Sequence, residues 1–377
     1  MSPSLMPTEE LGKAIEDAYP ELAPVAAATG APVYLVGGAV RDLLLGRGRA
    51  DIDLVVVGDA AELAGRLGAA ESTEHERFGT AKVVLDGHRV DIAAARSESY
   101  PEPGALPVVE PAADIEADLS RRDFTINAMA AALGDGPDLI DPHGGREDLE
   151  SGLIRLLHRG SLRDDPTRAL RAARYAARLG FEPEAETAAL IRGADLDTVS
   201  ADRRRAELNR IAAEPEAVRA LELLADWGLV EPRPGGLELA ARVSELLSTS
   251  PWEEFAPVGD AVLAAALGPT GAAEELAALN PARPSEAVEA SAGRGPVELA
   301  LARAMGAEWL DRYLLEWRAV ALEIDGEDLI TAGVSEGPAV GRGLRAALRL
   351  KLDDRLNGRD EELDAALEAA RGSDGVA

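Results

Sequence analysis

Asp51 and Asp53 stand two apart in Asp51-Ile52-Asp53-Leu54-Val55-Val56-Val57, a β-branched run that predicts a strand ended by Gly58-Asp59. Residues i and i+2 of a strand face the same side, so both carboxylates project together. Like charges that close repel, and a cation between them relieves the repulsion. Hard divalent ions take oxygen ligands, so the pair suits a two-metal phosphoryl-transfer site, although solvated Asp-x-Asp pairs also end ordinary strands. Upstream, Gly37-Gly38 closes a predicted strand, Val33–Val36, and opens a predicted helix from Ala39 to Gly46 with Arg41 in its first turn. Glycine lets the backbone approach a ligand closely, a helix N-terminus favours an anion, and Arg41 adds a charge-assisted bond to a phosphate oxygen. A lone Gly-Gly is a tight turn. Combined with Arg41 and the aspartate pair in one strand-helix-strand unit, it predicts a nucleoside triphosphate with metal.

Two further groups extend the pattern. In RRDFTINAMA, Arg121 to Ala130, Asp123 can accept from a ribose hydroxyl while Arg122 meets phosphate or base. The same residues read as a helix start, capped by Asp123, with Phe124, Ile126 and Met129 packing inward. Between Arg155 and Arg178 stand seven arginines and two acids, Asp164 and Asp165, a local balance of +5. Asp165, Arg168, Arg171 and Arg174 recur every three residues and share one helix face. With so few acids nearby, that face is expected to meet anions. Asp165 and Arg168 also permit base reading. Cytosine and adenine each place an amino donor beside a ring-nitrogen acceptor; uracil and guanine place a carbonyl beside a ring N–H. A carboxylate next to a guanidinium therefore matches C and A and leaves U and G unpaired.

The elements that must hold these groups are an α/β head and a long helical remainder, an α+β chain. Ala81–Leu85 and Arg89–Ala93 flank Asp86-Gly87, a favoured hairpin turn. Tyr100–Pro111, with four prolines and a glycine, is expected as a loop, and from about Ile115 the pattern is almost wholly helical. Breaks fall at Gly193–Ser200, Pro232–Gly236 and Asn280-Pro281. Gly326–Leu344 sets glycines between helix-like pieces; it reads as a glycine-capped helical hairpin, and its exposed amides could also hold a phosphate.

The 377 residues suffice for two to four domains, and 46% apolar content excludes a wholly disordered chain. A charge of −29 argues against nucleic acid unless arginine is concentrated locally, as it is here. With no cysteine, a disulfide scaffold, thiol catalysis and Cys-ligated zinc are excluded, and four histidines with no His-x-x-x-His pair argue against a His-built metal site. No signal peptide is visible. The 19 uncharged residues from Leu22 to Val40 are interrupted by two prolines and three glycines, which argues against a membrane span. A cytoplasmic protein is expected.

YLVGGAVRDLLLG, DIDLVV, FGTAKV, RRDFTINAMA, DPHGGREDL and DDPTRALRAARYAARLGF follow one another from about Val33 to Phe181. In this order they resemble the motifs of the class II tRNA nucleotidyltransferase and bacterial poly(A) polymerase family. ADRRRAELNRI, Ala201 to Ile211, resembles the family's last neck motif, and Gly326–Leu344 its glycine-rich tail. The resemblance implies a polymerase-β-like head with a mixed sheet (1–144), a helical neck that recognises the nucleotide (145–211), a helical body (212–300) and a tRNA-binding helical tail (301–377). It makes Asp51 and Asp53 the catalytic ligands of two Mg2+ ions, with Asp91 a secondary candidate. Gly37, Gly38, Arg41, Arg122, Asp123, Asp165, Arg168, Arg171 and Arg174 would bind the nucleotide. The implied activity is template-independent addition of C, C and A to the 3′ end of tRNA from CTP and ATP, releasing pyrophosphate. A-adding or CC-adding specialists, a poly(A) polymerase, and a non-catalytic RNA-binding protein on the same scaffold are the alternatives. The Ala95–Val109 segment resembles the loop that this family uses to complete the final A. Two departures stand out: the neck motif begins Asp164-Asp165 where the family has Glu-Asp, and no histidine follows His158, so a His-Asp phosphohydrolase is not expected.

Overall fold

Val33–Val36 forms β1 and Ile52–Val56 forms β2, an antiparallel pair in which Leu35 faces Leu54. A computed structural model describes residues 3–28, 30–68, 73–75, 79–134 and 138–372. The head contains helices α1 (Leu11–Ala18), α2 (Ala23–Ala28), α3 (Gly38–Leu44) and α4 (Ala60–Arg66). Its sheet adds β3 (Thr73–His75), β4 (Thr80–Leu85) and β5 (His88–Ala94); Phe78 of the FGTAKV segment lies outside the described residues. The hairpin of β4 and β5 turns at Asp86 (φ 48°) and Gly87 (φ 82°), the doubly positive geometry that Asp-Gly favours.

Two expectations need correction. The loop expected from Tyr100 to Pro111 ends in a strand: β6 (Arg96–Ser99) pairs antiparallel with β7 (Val108–Pro111), the prolines 101, 103 and 107 falling before the pairing starts. The chain after Ile115 is not almost wholly helical either. After α5 (Ile115–Ser120), residues Thr125–Asn127 make a single 3-10 turn, and β8 (Ala130–Ala132) and β9 (Leu139–Ile140) complete the sheet. The Ala-rich composition of β8 hid it, because alanine favours helix in isolation. Here β8 gains backbone pairing with β1 and complete burial of Ala130 and Ala131. The seven strands run β3-β4-β5-β2-β1-β8-β9, with β2 and β5 parallel and the other neighbours antiparallel, a mixed sheet as expected.

Period-two alternation divides β2 between the two faces. Ile52, Leu54 and Val56 enter the main core with Leu35, Val40, Leu44, Ile92 and Met129. Asp51, Asp53 and Val55 turn the other way, where Val55 meets Ile115 and Leu119 of α5 while the aspartates run past the end of that cover. The core face fixes which side the carboxylates occupy, since a one-residue slip would bury both.

After α6 (Gly145–Ser151), β10 (Leu153–Ile154) and α7 (Ser161–Asp164) comes α8 (Thr167–Leu179). Its Ala169, Ala172 and Ala176 pack into the main core, and Gly180 stops it in the left-handed conformation (φ 72°). Beyond it lie β11 (Glu182–Pro183), parallel to β10, then α9 (Ala185–Arg192), α10 (Ala201–Ala212) and α11 (Ala217–Asp226). All belong to one compact unit, Met1–Glu231.

The second unit, Pro232–Ala377, is helical among its described residues: α12 (Gly236–Leu246), α13 (Val258–Leu267), α14 (Gly271–Ala277), α15 (Pro284–Ser291), α16 (Pro296–Ala304), α17 (Trp309–Leu315), α18 (Gly326–Thr331), α19 (Pro338–Leu352) and α20 (Arg359–Arg371). The glycine-rich stretch is the helical hairpin of α18 and α19, with a capping box at Asp325. The boundary between units falls inside the span expected for the body, 212–300; the finer four-part division remains a proposal. No helix among the described residues is long and apolar enough to cross a membrane.

Gly145 shows how tightly the parts that frame the site are fitted. A Cβ there would fall on the Thr125 carbonyl and within 3.0 Å of Met129 Cγ, where α6 meets the 3-10 turn. Gly145→Ala is therefore expected to destabilise the chain by about 1–3 kcal/mol. A lowered denaturant midpoint at constant m-value would show it; an unchanged midpoint would contradict the close packing.

Candidate active site

A cleft of about 580 Å³ lies over the β2–β5 face, and it gathers most of the groups selected from sequence. Gly37, Gly38, Asp53, Asp91, Arg122, Asp123, Asp165, Arg168 and Arg171 all line it. A neighbouring cleft of about 560 Å³ is lined by Arg41, Asp51 and Arg174 and shares Gly38, Asp53 and Tyr175 with the first. Every expected site residue thus falls on one of two adjoining clefts.

At the carboxylate end, the parallel register sets Asp53 beside Asp91. Desolvation pushes the Asp53 carboxyl above its ordinary range; the negative charges of Asp91 and Asp51 push it further, against the pull of Arg122 and Lys82. Asp91 is less available than its position suggests, because Lys82 Nζ takes its Oδ2 at 3.2 Å. Among the described residues no cluster of three or more His, Asp or Glu side chains is poised around one point.

At the glycine turn, Gly37 has φ 66° and ψ −122°, a backbone that favours glycine, and its amide donates to the Met129 carbonyl at 3.1 Å. Arg41 is 2% exposed. Its Nε pairs with Asp42 at 2.8 Å, its Nη1 with Asn127 Oδ1 at 2.6 Å, and Nη2 is left near Gly38. Tyr175 offers its ring to both Arg41 and Arg174, 5.3 and 5.0 Å from its centroid.

Asp123 does not cap a helix. The chain turns into a 3-10 turn and then a strand, and the carboxylate braces that turn: Oδ1 accepts from Phe124 N at 2.8 Å and Asn127 Nδ2 at 3.1 Å. Phe124, Ile126 and Met129 do pack inward, each fully buried. Asp123 Oδ2 meets Arg171 Nη2 at 2.6 Å. Although burial alone would raise its pKa, Arg171 and these hydrogen bonds hold Asp123 below the ordinary carboxylate range and Arg171 above the usual arginine value. A ribose hydroxyl at Asp123 would have to share it with Arg171.

The arginine stretch likewise differs from expectation. Its acidic partners, scarce nearby in sequence, come from elsewhere: Asp123 for Arg171, Glu214 for Arg174, Asp42 for Arg178, Asp148 for Arg155 and Glu186 for Arg159. The local +5 is therefore largely offset in space. Arg168 is buried, its Nη1 on Ser161 Oγ and its Nη2 on the Arg121 carbonyl at 2.8 Å. Asp165 receives Thr167 N at 3.1 Å, Thr167 Oγ1 at 2.6 Å and Arg203 Nη2 at 3.0 Å, all on Oδ1. Its Oδ2 takes none of these bonds.

Sequence reading did not single out Asp42, Asp118, Asn127, Tyr175 or Arg203. Asp118 carried a signal, since it stands four residues before Arg122, the spacing of a helical ion pair. Arg203 carried none that would choose it over Arg204 or Arg205; only the fold brings it to Asp165 and to the Gly104 carbonyl at 2.7 Å.

A strand-borne aspartate pair, a glycine turn and an arginine-lined cleft on a mixed sheet define a nucleotidyltransferase head. Residues 33–155 match the poly A polymerase head domain, and residues 180–235 match the probable RNA and SrmB-binding site of polymerase A. The CC-adding tRNA nucleotidyltransferase of Deinococcus radiodurans is 36% identical over 88% of this chain and 87% of its own. A solved CCA-adding enzyme in an apo form superposes with a TM-score of 0.80 at 30% identity, over 95% of this chain and 98% of that one. A CCA-adding enzyme in complex with CTP gives 0.77 at 29% identity, over 99% and 100%. The chain belongs to the class II tRNA nucleotidyltransferase family and is an enzyme that transfers nucleotides to the 3′ end of tRNA.

The raised Asp53 pKa yields a prediction with a definite sign. A carboxyl whose folded pKa is raised favours folding at low pH, and that contribution is lost as pH rises through the folded pKa. At neutral pH Asp53 therefore opposes folding when no cation is present. Asp53→Asn should raise the melting temperature of the metal-free protein at pH 7, by an amount that shrinks as pH falls, while transfer drops at least about 100-fold. A lowered melting temperature at pH 7 would contradict the charge crowding.

Proposed function

We propose that the chain adds C, C and A in turn to the 3′ end of tRNA from CTP and ATP, in the cytoplasm, selecting the base with protein groups and no nucleic-acid template. The observation that carries this reading is the free Oδ2 of Asp165 in the same cleft as Asp53 and Gly37-Gly38. Asp165 Oδ1 is held by Arg203 and Thr167, which aims Oδ2 as an acceptor for the amino group of cytosine or adenine. Arg168 donates to the adjacent ring nitrogen through an N–H that Ser161 and Arg121 do not occupy. Arg41, Arg122, Arg171 and Arg174, with the Gly37-Gly38 turn, hold the triphosphate, and Asp123 orients Arg171 beside the ribose.

Asp51 and Asp53 are the ligands we assign to two Mg2+ ions. The donors are all carboxylate oxygen, and the crowding that raises the Asp53 pKa is what a cation relieves. Bound magnesium supplies charge neutralisation at the triphosphate and acidifies the attacking hydroxyl. The 3′-hydroxyl of the terminal ribose attacks the α-phosphate in line. A new P–O bond forms as the bond to the β-phosphate breaks, and pyrophosphate leaves.

The competing reading is CC addition alone, the activity that the Deinococcus relative's name carries. What favours full addition is the sequence of Ala95–Val109, which resembles the segment associated in the family with the final A; it includes the β6–β7 turn, where Arg203 donates to the Gly104 carbonyl. Transcripts of tRNA ending before the tail, after C and after CC, each given CTP and ATP, should gain CCA, CA and A. A product that stops at CC would establish the narrower activity. Asp165→Ala should reduce the preference for C and A over U and G by at least about 100-fold. An unchanged preference would remove Asp165 from base selection.

A further inference from the structure

Asp118, on α5, is fully buried beside the nucleotide cleft and does not line it. Its Oδ1 accepts from Arg121 Nε at 2.9 Å, Arg121 Nη2 at 2.8 Å and the Arg96 amide at 3.2 Å. Its Oδ2 accepts from Arg122 Nη2 at 3.1 Å. Arg122 Nη1 then stands over the glycine turn, 2.9 Å from where a Cβ on Gly37 would lie and 3.5 Å from the Asn127 carbonyl. Gly37 leaves room for that guanidinium, and Asp118 keeps it there. An unrestrained arginine would lose several rotamers on binding phosphate, whereas one already fixed by a charge-assisted bond is preorganised.

We propose that Asp118 is a positioning residue that aims Arg122 across Gly37 at the phosphates of the incoming nucleotide. The proposal rests on the nucleotide-transfer reading above and adds the group that makes one of its arginines effective. Burial would raise the Asp118 pKa, but Arg121 and Arg122 hold it below the ordinary range, so the carboxylate is charged throughout the range in which the enzyme would work. The two oxygens divide the labour. Oδ1 ties α5 to Arg121 and the start of β6, while Oδ2 serves Arg122. Asp118→Asn can keep an oxygen toward Arg121 and Arg96 and present an NH2 group to Arg122, which selectively breaks the positioning contact.

The test is a double-mutant cycle on the full chain with Asp118→Asn, Arg122→Ala and both together. KM for CTP and ATP on tRNA is read beside dissociation constants for MgATP and for adenosine, measured by direct binding. Asp118→Asn is expected to raise KM for both triphosphates and weaken MgATP about tenfold, leaving adenosine within about twofold. On the Arg122→Ala background it should do nothing further. Asp118→Glu keeps the charge but moves it out by one methylene; it carries the same test with the same expected split should the asparagine variant fail to fold. Effects that add in the double variant, or a loss shared equally by MgATP and adenosine, would overturn the proposal and leave Asp118 a structural pin. Absence of nucleotide addition by the unmutated protein on any tRNA would instead overturn the activity, and the MgATP and adenosine constants would still decide for or against Asp118.

Discussion

The ion pair between the buried Asp123 and the partly exposed Arg171 ties the turn before β8 to α8, and the rest of the site depends on it. Asp123 sits at the turn that enters β8, and Arg171 sits mid-way along α8. Removing Arg171 leaves the buried Asp123 carboxylate without its cation, a costly change, whereas removing Asp123 leaves an arginine that solvent partly reaches. The pair does not act alone. Asp42 takes Arg178, the Arg121 carbonyl takes Arg168, and the alanines of α8 fill the main core behind them. One helix is thereby anchored in the main core by its small residues while its arginines line the clefts.

That arrangement explains how a chain with a charge of −29 can serve anionic substrates. The cleft arginines are each braced by a carboxylate or an amide oxygen: Arg41 by Asp42 and Asn127, Arg122 by Asp118, Arg171 by Asp123. Bracing lowers the net charge of the site but fixes the donors in direction. An arginine held this way offers its remaining N–H groups in a set geometry, which suits phosphate and base edges better than a mobile cation would. The acids inside the site are therefore part of its construction.

Much of this was legible beforehand, and the exceptions have a common cause. Alternation at β2 gave the shared face of Asp51 and Asp53, and three-residue spacing gave the α8 positions of Arg168, Arg171 and Arg174, because both depend only on local periodicity; Asp165, expected on the same helix face, instead precedes α8 in extended conformation. The Asp-Gly turn was equally local, whereas the mixed sheet followed only from the family resemblance. The strand Ala130–Ala132 was not legible, since its sequence favours helix and only pairing with β1 decides otherwise. Nor were the partners of the arginines. Arg171 finds its acid 48 positions upstream and Asp165 its arginine 38 positions downstream, distances over which no pattern of spacing carries information. Counting nearby charges therefore overstated how bare the arginine face would be.

The most direct test of this construction is a double-mutant cycle between Asp123→Asn and Arg171→Gln, read by denaturant unfolding and by KM for CTP on the same proteins. If the pair orients the helix and its arginines, each single change lowers stability, Arg171→Gln the more because it strands the buried Asp123 carboxylate, the double change loses less than their sum, and every variant binds CTP more weakly. Additive losses of stability together with an unchanged KM would show that the neck helix and its arginines are positioned by something other than this pair.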